Sequence, residues 1–199
     1  WRFSKNSYLI IKGALIASGT TKNPISLEPE INSWKGIYVV NATKKSILEN
    51  VRIKKVSGLE DGILKLTGGV TFYRSDVDMK NVTISDNSSE DAINIIESKY
   101  FLESIVVENS VSDGLDSDFS QGLIKQPKFI NIGGDAMDFS GSFVQIEEAF
   151  ALNVNDKAVS VGEKSIIEIN NSSFIAPGIG VTSKDASTVT VKNTEVKNY

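Results

Sequence analysis

Short runs in which apolar and polar residues alternate dominate the chain. They occupy 46–53, 81–85, 104–110, 128–133, 165–170 and 187–193. Alternation with a period of two is typical of strands that bury one face, and no segment sustains the 3.6-residue period of an amphipathic helix. Only four prolines interrupt the 199 residues. The pattern predicts an all-β protein built from short strands.

A repeat of 22 residues organises these strands. In seven segments a Gly or Ala is followed by an apolar residue, and the last five of these openers are 22 residues apart. The openers are Gly36, Gly62, Ala92, Gly114, Ala136, Ala158 and Gly180, and the apolar residues are Ile37, Ile63, Ile93, Leu115, Met137, Val159 and Val181. The first two gaps are 26 and 30 residues, and the longer one predicts an insertion within 68–80.

A second register supports the repeat, since Asn87, Asn109, Asn131 and Asn153 also recur every 22 residues. Stacked asparagines at a turn predict a ladder of hydrogen bonds that satisfies buried backbone groups at the corner. Short strands repeated every 20 to 25 residues are typical of a parallel β-solenoid. We therefore predict about eight coils of about 22 residues, which at roughly 4.8 Å per coil give a rod of about 40 Å.

Composition narrows the chemistry that the chain can perform. The sequence has no cysteine and no histidine, which excludes thiol chemistry, Cys-zinc sites and a histidine base. Any metal is therefore expected to be a hard cation on oxygen ligands, with calcium first. A net charge of −4 without a basic stripe predicts no nucleic-acid partner, and no apolar run approaches 18 residues, so we expect no membrane insertion.

With these features the sequence resembles the right-handed, single-stranded parallel β-helix proteins of the pectate-lyase-like superfamily, whose repeat is known as PbH1. The stretch 13–39 is similar to the GT-x-x-NPI … W-x-GI coil of bacterial surface and secreted β-helix proteins, through Gly19, Thr20, Asn23, Pro24, Ile25, Trp34, Gly36 and Ile37. The resemblance implies an extracellular, cell-surface or periplasmic location. It also implies structural roles for Pro24 at a corner and Trp34 over apolar surface.

The central coils resemble the active-site coils of polygalacturonase-type glycoside hydrolases, which carry N-T-D-G, G-D-D, G-H-G and R-I-K on successive coils. The matching places read VSDG with Asp113, GGDA with Asp135, DKAVSVG with Lys157, and VTSK with Lys184. The first aspartate of the family's pair is Gly134 here, the histidine place holds Lys157, and the arginine place holds Thr182. The resemblance implies the fold and a site at Asp113, Asp135 and Lys157, with part of the family's catalytic set replaced.

Three central coils read DAIN, DGLD and DAMD, and their superposition predicts an acidic face. Asp91, Asp113 and Asp135 are expected to stack just before the strand. Asn94, Asp116 and Asp138 are expected to stack on the outer side, with Tyr38 and Leu64 on one flank and Ser160 and Thr182 on the other. Like charges opposite one another on neighbouring strands are destabilising, so a compensating partner is expected.

Three explanations remain open for this cluster of carboxylates. Lys157 and Lys184 can pair with Asp135 or Asp138 in a purely structural arrangement. Calcium can bind between coils through Asp113, Asp116, Asp135 and Asp138. In the third alternative the face is functional: Asp113, Asp135 and Lys157 are the catalytic candidates, and Asp116, Asp138, Asn94 and Lys184 bind substrate.

Two functions follow from these alternatives. In the first, residues 1–199 form one extracellular β-helix domain that binds or processes polysaccharide along the acidic face. An enzyme of this kind would be a glycoside hydrolase or a polysaccharide lyase acting on an acidic polysaccharide. It would require no cofactor, or calcium alone if the carboxylates bind that ion. In the second, the domain is a non-catalytic stalk or adhesin module of a larger surface protein. The chain begins at Trp1 and ends in an ordinary coil, so we expect flanking domains or a capping partner at the solenoid ends.

Overall fold

The computed structural model describes residues 1–62 and 64–198, and this part of the chain contains strands and turns without a helix. The first strands are β1 (Arg2–Phe3), β2 (Leu9–Ile11), β3 (Ile16–Ser18), β4 (Ile25–Pro29), β5 (Ile37–Val40), β6 (Ser46–Lys54), β7 (Leu59–Asp61), β8 (Leu64–Leu66), β9 (Gly68–Tyr73), β10 (Val77–Asn87) and β11 (Asp91–Ile96). They continue with β12 (Lys99–Glu103), β13 (Val106–Ser110), β14 (Asp113–Asp118), β15 (Gln121–Lys125), β16 (Lys128–Ile132), β17 (Met137–Ser140), β18 (Phe143–Glu147), β19 (Phe150–Gly162), β20 (Ile166–Asn170), β21 (Ser173–Ser183), β22 (Thr188–Lys192) and β23 (Glu195–Lys197). No helix in the described part is long and apolar enough to span a membrane.

The strands stack in parallel into three sheets that wind around one core. Sheet 1 consists of β2, β5, β9, β11, β14, β17 and the second halves of β19 and β21. Sheet 2 consists of β3, the first halves of β6 and β10, and β12, β15, β18, β20 and β22. Sheet 3 consists of β1, β4, the second halves of β6 and β10, β13, β16, the first halves of β19 and β21, and β23. Sheet 1 has eight rungs, which confirms the parallel β-solenoid of about eight coils.

Sharp corners separate the sheets, and each corner repeats a residue with positive φ. These φ values lie between 48° and 61° at Asn41, Arg74, Glu97, Phe119, Gly141 and Glu163 after sheet 1, at Asn50, Asn81, Ser104, Gln126, Glu148, Asn171 and Asn193 after sheet 2, and at Lys55, Asp86, Asn109, Asn131, Asn153 and Ala176 near the end of sheet 3. The left-handed region is uncommon for residues other than Gly, Asn and Asp. The coil geometry therefore overrides local preference at many corners.

The core row of sheet 1 confirms most of the predicted repeat. Ile37, Ile93, Leu115, Met137 and Val159 are fully buried and pair in register along the stack. The predicted rung between Ile37 and Ile93 was wrong, because Val70, and not Ile63, pairs with both residues. Ile63 lies outside the described residues.

The insertion also lies earlier than the predicted 68–80. Strands β7 and β8 form an antiparallel hairpin outside the parallel stack, whereas 68–73 and 77–80 are regular rungs of sheets 1 and 2. The hairpin segment contains a glycine followed by an apolar residue, as the openers do, and this is why Gly62 was aligned with them. The equivalent glycine is Gly69, whose carbonyl oxygen would lie 2.0 Å from a Cβ added to Gly36.

The asparagine ladder exists, but one rung and its role differ from the prediction. Asn153 donates to Asn131 at 3.1 Å, Asn131 to Asn109 at 3.0 Å, and Asn109 to Asp86 at 3.2 Å. Asn87 is instead buried and donates to Ser110 Oγ at 2.9 Å, because its coil carries one extra residue. The ladder joins exposed side chains and does not satisfy buried backbone groups.

A buried serine ladder satisfies backbone groups at the corner between sheets 1 and 2. The backbone N–H of each serine donates to the Oγ of the serine on the next coil, at 2.8 to 3.1 Å, through Ser75, Ser98, Ser120, Ser142, Ser165 and Ser187. A buried N–H without a partner is costly, so these hydroxyls are part of what holds the corner together.

Ser142→Ala is expected to lower the free energy of unfolding by about 2 kcal/mol, because the N–H of Ser120 loses its buried acceptor. Urea denaturation measures the change. Ser140→Ala on the same coil is the matched control, since the Ser140 side chain is half-buried and belongs to no ladder, and it should change stability by less than about 0.5 kcal/mol. Equal effects of the two substitutions would contradict the role of the ladder.

Candidate functional site

Outward-facing residues at equivalent positions in the strands of sheet 1 form a row along the solenoid axis, which we call the central row. Its members pair from strand to strand in the order Ile10, Tyr38, Thr71, Asn94, Asp116, Asp138, Ser160 and Thr182. The predicted stacking of Asn94, Asp116 and Asp138 is confirmed. Thr71 takes the place predicted for Leu64, because Leu64 begins the second strand of the hairpin.

A second row, the leading row, precedes the central row and contains Asp91, Asp113, Asp135 and Lys157. Asp113 pairs with Asp91 in register, and its Oδ1 accepts the backbone N–H of Asp135 at 2.8 Å. Asp135 Oδ1 accepts the backbone N–H of Lys157, also at 2.8 Å. One oxygen of each carboxylate therefore links its coil to the next through a hydrogen bond from the backbone.

Lys157 provides the structural partner that was one of the three alternatives. Its Nζ lies 3.3 Å from Asp135 Oδ1 and 2.5 Å from Asp156 Oδ2. The hydrogen bond to Asp156 and the charge of Asp135 raise the pKa of Lys157, which keeps the amine protonated and suits a cation better than a base. Lys184 is exposed and makes no ion pair with the described residues.

Gly134 aligns with the first aspartate of the G-D-D motif in the resemblance stated above, and in the structure it lies against the Asp113 carboxylate. A Cβ added at Gly134 would lie 1.9 Å from Asp113 Oδ1. The Asp113 carboxylate fills this space while it accepts the N–H of Asp135. A side chain at 134 would displace that carboxylate, so the glycine and the Asp113 bond belong together.

The carboxyls at the centre of the face have raised pKa values. Burial, followed by the charges of Asp118 and Asp91, raises the pKa of Asp116 to about 8. Burial raises the pKa of Asp91 to about 7, and the charge of Asp113 adds to this shift. Burial also raises the pKa of Asp113 and of Asp118, and the charge of Asp138 adds to both. A group that titrates near neutral pH can exchange a proton with a ligand.

Asp91 and Asp118 were not among the predicted site residues, although both lie on this face. Asp91 is buried in the leading row, and Asp118 pairs with Ile96 and Ser140 two positions after the central row. The two-residue period and the repeat were sufficient to place both. Their proton affinity depends on burial, which the sequence pattern does not report.

A cleft of about 540 Å³ opens at the N-terminal end of the central row, next to the hairpin. Leu66 and Thr67 line one side, and Thr71, Tyr73 and Asn94 line the other. Asn94 also donates to Asp116 Oδ2 at 3.0 Å. The cleft and the acidic centre therefore share a residue and form one continuous surface.

The two aromatic candidates beside the acidic face differ in exposure. Tyr38 is buried beside the cleft that it helps to line, and its hydroxyl donates to the backbone carbonyl of Lys35. Phe119 is 61% exposed at the corner after Asp118, with φ of 49°. A Cβ added at Gly141 would lie 2.5 Å from the Phe119 ring, which shows that the ring edge packs against this glycine.

Three buried hydroxyls in the described part of the chain have no hydrogen-bond partner, and all three belong to the central row. They are Thr71 Oγ1, Ser160 Oγ and Thr182 Oγ1. Thr71 is 5% exposed and lines the cleft, and Ser160 is 0% exposed beside Asp138. An unpaired buried hydroxyl costs about 1–3 kcal/mol, and these three lie in one row.

The metal alternative stays a prediction. Within residues 1–62 and 64–198, no group of three or more acidic side chains is arranged to hold a metal ion. Calcium through Asp113, Asp116, Asp135 and Asp138 would require these carboxylates to move together. Burial raises the pKa values of Asp113, Asp116 and Asp135, so protons compete with the cation at these three groups.

Comparison with known proteins found distant structural similarity alone. No protein-family model and no curated protein matches the chain. The catalytic domain of a GH87 alpha-1,3-glucanase in complex with nigerose matches all of the chain over 61% of its own length, with 8% identity and a TM-score of 0.31. A GH136 lacto-N-biosidase from Eubacterium ramulus matches 98% of the chain over 63% of its own length, with 6% identity and a TM-score of 0.20. The chain thus spans about three fifths of these proteins, and similarity at this level assigns neither a family nor a substrate.

Proposed function

We propose that sheet 1 binds a polysaccharide that lies along the central row. The observation that carries the proposal is the continuity of the cleft with the carboxyl centre through Asn94, which lines the cleft and donates to Asp116. Equivalent side chains recur about every 4.8 Å along the row, so an extended polymer meets successive hydrogen-bonding groups. The unpaired hydroxyls of Thr71 and Ser160 add donors and acceptors on either side of the carboxyls.

The protonation state of the face suits hydroxyl-rich ligands. Around neutral pH a fraction of Asp116 and Asp91 carries a proton, because burial raises both pKa values. A neutral carboxyl donates one hydrogen bond and accepts others, whereas a carboxylate can only accept. Sugar hydroxyls require both kinds of partner.

Cleavage of a bound chain would require a proton donor and a second carboxylate. Asp116 has the pKa of a donor, and its neighbour Asp138 lies in register on the next strand. The set derived from the resemblance, Asp113, Asp135 and Lys157, stays a prediction. Its two aspartates also hold backbone N–H groups, which gives them a positioning role as well.

The second candidate is a non-catalytic stalk or adhesin module of a surface protein. The observation that favours it is the ion pairing of Lys157 with Asp135 and Asp156, which satisfies part of the acidic face without a ligand. Location outside the cytoplasm is a further proposal, supported by the resemblance of residues 13–39 to surface and secreted β-helix proteins.

A glycan array and a reducing-sugar assay, each with and without calcium, separate these functions. Binding without release of reducing ends is expected for a binding module, and release would identify a hydrolase or lyase. If no polysaccharide binds under any condition, the polysaccharide proposal is wrong and the structural module is favoured.

Phe119→Ala is expected to weaken polysaccharide binding about tenfold, which corresponds to roughly 1.4 kcal/mol, because the exposed ring next to Asp118 is lost as a stacking surface. Affinity electrophoresis in gels containing the polysaccharide measures the change. Phe143→Ala is the matched control, since Phe143 is 51% exposed but lies on sheet 2. A loss that is equal in the two variants would place binding away from sheet 1.

A further inference from the structure

We infer that the polysaccharide bound by sheet 1 is cationic, a polymer of hexosamine units with free amines. The inference rests on the proposed function and deepens it by naming the substrate class. It follows from three features of the face: its charge, its unused acceptors and its unpaired hydroxyls.

The face carries a dense set of acidic groups that can become negatively charged. Asp91, Asp113, Asp116, Asp118 and Asp138 lie on adjacent rungs, and Glu163 contributes to the field at Asp118. The cations nearby are few. Lys157 is already paired with Asp135 and Asp156, Lys65 lies on the hairpin at the rim of the cleft, and Lys184 is exposed beyond the row.

Several acceptors on the face are unused. The Asp138 side chain makes no hydrogen bond or ion pair with any described residue, and Asp116 receives a single side-chain hydrogen bond, from Asn94. An ammonium group has three donors and no acceptor, so it can join two carboxylates on neighbouring rungs and remove their mutual repulsion. A uronate would add a negative charge beside Asp116 and Asp138.

The unpaired hydroxyls are independent of the charge and also indicate a ligand. Thr71 lines the cleft on one side of the acidic centre, and Ser160 pairs with Asp138 on the other, and the hydroxyl of each has no hydrogen-bond partner. Both residues are more than nine-tenths buried. A hexosamine unit offers hydroxyls to these groups while its amine meets the carboxyls, which a simple cation cannot do.

Ligand binding should also release protons. An ammonium group stabilises the ionised form of Asp116 and Asp91 and therefore lowers their pKa values, so carboxyls that are protonated in the free protein lose protons to the buffer. Of the other titratable groups on the face, Lys157 stays protonated because Asp156 and Asp135 raise its pKa.

Isothermal titration calorimetry with three size-matched probes tests the inference: glucosamine oligomers, their fully N-acetylated counterparts, and oligogalacturonate. Glucosamine oligomers are expected to bind at least tenfold more tightly than either other probe, with an affinity that falls as salt is added. Titrations at pH 7 in two buffers of different ionisation enthalpy should reveal proton release. Asp138→Asn should reduce the preference for the free amine to about threefold or less, and Asp78→Asn on sheet 2 should leave it unchanged.

The outcomes separate the inference from the function on which it rests. A preference for the N-acetylated oligomer or for oligogalacturonate, or equal binding of all three, overturns the inference while polysaccharide binding stands. A preference for the amine that Asp138→Asn does not reduce also overturns it, because the amine would then be held elsewhere. Failure of all three probes and of the glycan array overturns the inference and the proposed function together.

Discussion

Lowering the pH from 8 to 5 is expected to raise the free energy of unfolding by on the order of 4 kcal/mol. Asp91 and Asp116 have folded-state pKa values of about 7 and about 8, whereas an unfolded aspartate titrates near 3.9. Between about pH 4 and 8 the folded state therefore binds more protons than the unfolded state, so stability falls as the pH rises through this window. The change is smaller than the sum of two independent groups, because neighbouring carboxyls titrate as a coupled set.

Thermal denaturation across this pH range measures the effect. For a chain of about 200 residues, 4 kcal/mol corresponds to an increase in Tm of roughly 10 °C. Most proteins gain stability as their carboxylates ionise, because those carboxylates are paired in the native state, so the direction here is diagnostic. A Tm that stays constant or falls between pH 8 and pH 5 would contradict the buried acidic centre.

Asp116→Asn is expected to stabilise the fold by about 2 kcal/mol at pH 8 and to abolish polysaccharide binding. The substitution removes a buried charge that is surrounded by Asp118, Asp91 and Asp138, and the new amide oxygen can still accept the hydrogen bond from Asn94. Gain of stability with loss of function is typical of residues retained for a ligand rather than for the fold.

Two comparisons give this prediction its controls. At pH 5 the Asp116→Asn variant should be nearly as stable as the wild type, because the wild-type carboxyl is then protonated. Asp78→Asn on sheet 2, where the carboxylate forms an exposed pair with Lys45, should change stability by less than about 0.5 kcal/mol at either pH. Destabilisation of Asp116→Asn at pH 8 would mean that Asp116 holds the fold together.

The fold was predictable where every coil has the same length. From Ala92 onward the 22-residue spacing places Ile93, Leu115, Met137 and Val159 on one buried row, as the register confirms. The prediction failed where coil length changes. The hairpin of β7 and β8 contains a Gly-apolar pair like those of the regular coils, and one extra residue shifts Asn87 away from the ladder. A fixed period therefore cannot locate either irregularity.

The serine ladder shows a different limit. Ser75, Ser98, Ser120 and Ser142 recur every 22 or 23 residues, so the signal was present in the sequence. Serine is common in turns, however, and its spacing acquires meaning only when the backbone N–H groups at the corner are known to be buried. The structure supplies that burial.

The position of the acidic site was predictable, but its chemistry was not. Alternation of period two placed Asn94, Asp116 and Asp138 on one outer face. Burial of Tyr38, exposure of Phe119 and the raised pKa values of Asp91 and Asp116 depend on which neighbours cover each group. Those neighbours come from the hairpin and from adjacent coils, which a repeat pattern does not describe.

Chemical-shift mapping of the folded protein with the best ligand from the glycan array tests the central claim most directly. Backbone amides of β9, β11, β14, β17 and the second half of β19 are expected to shift, with the largest changes around Asn94, Asp116 and Asp138. Shifts confined to sheets 2 or 3, or the absence of shifts with every glycan on the array, would contradict a polysaccharide site on sheet 1.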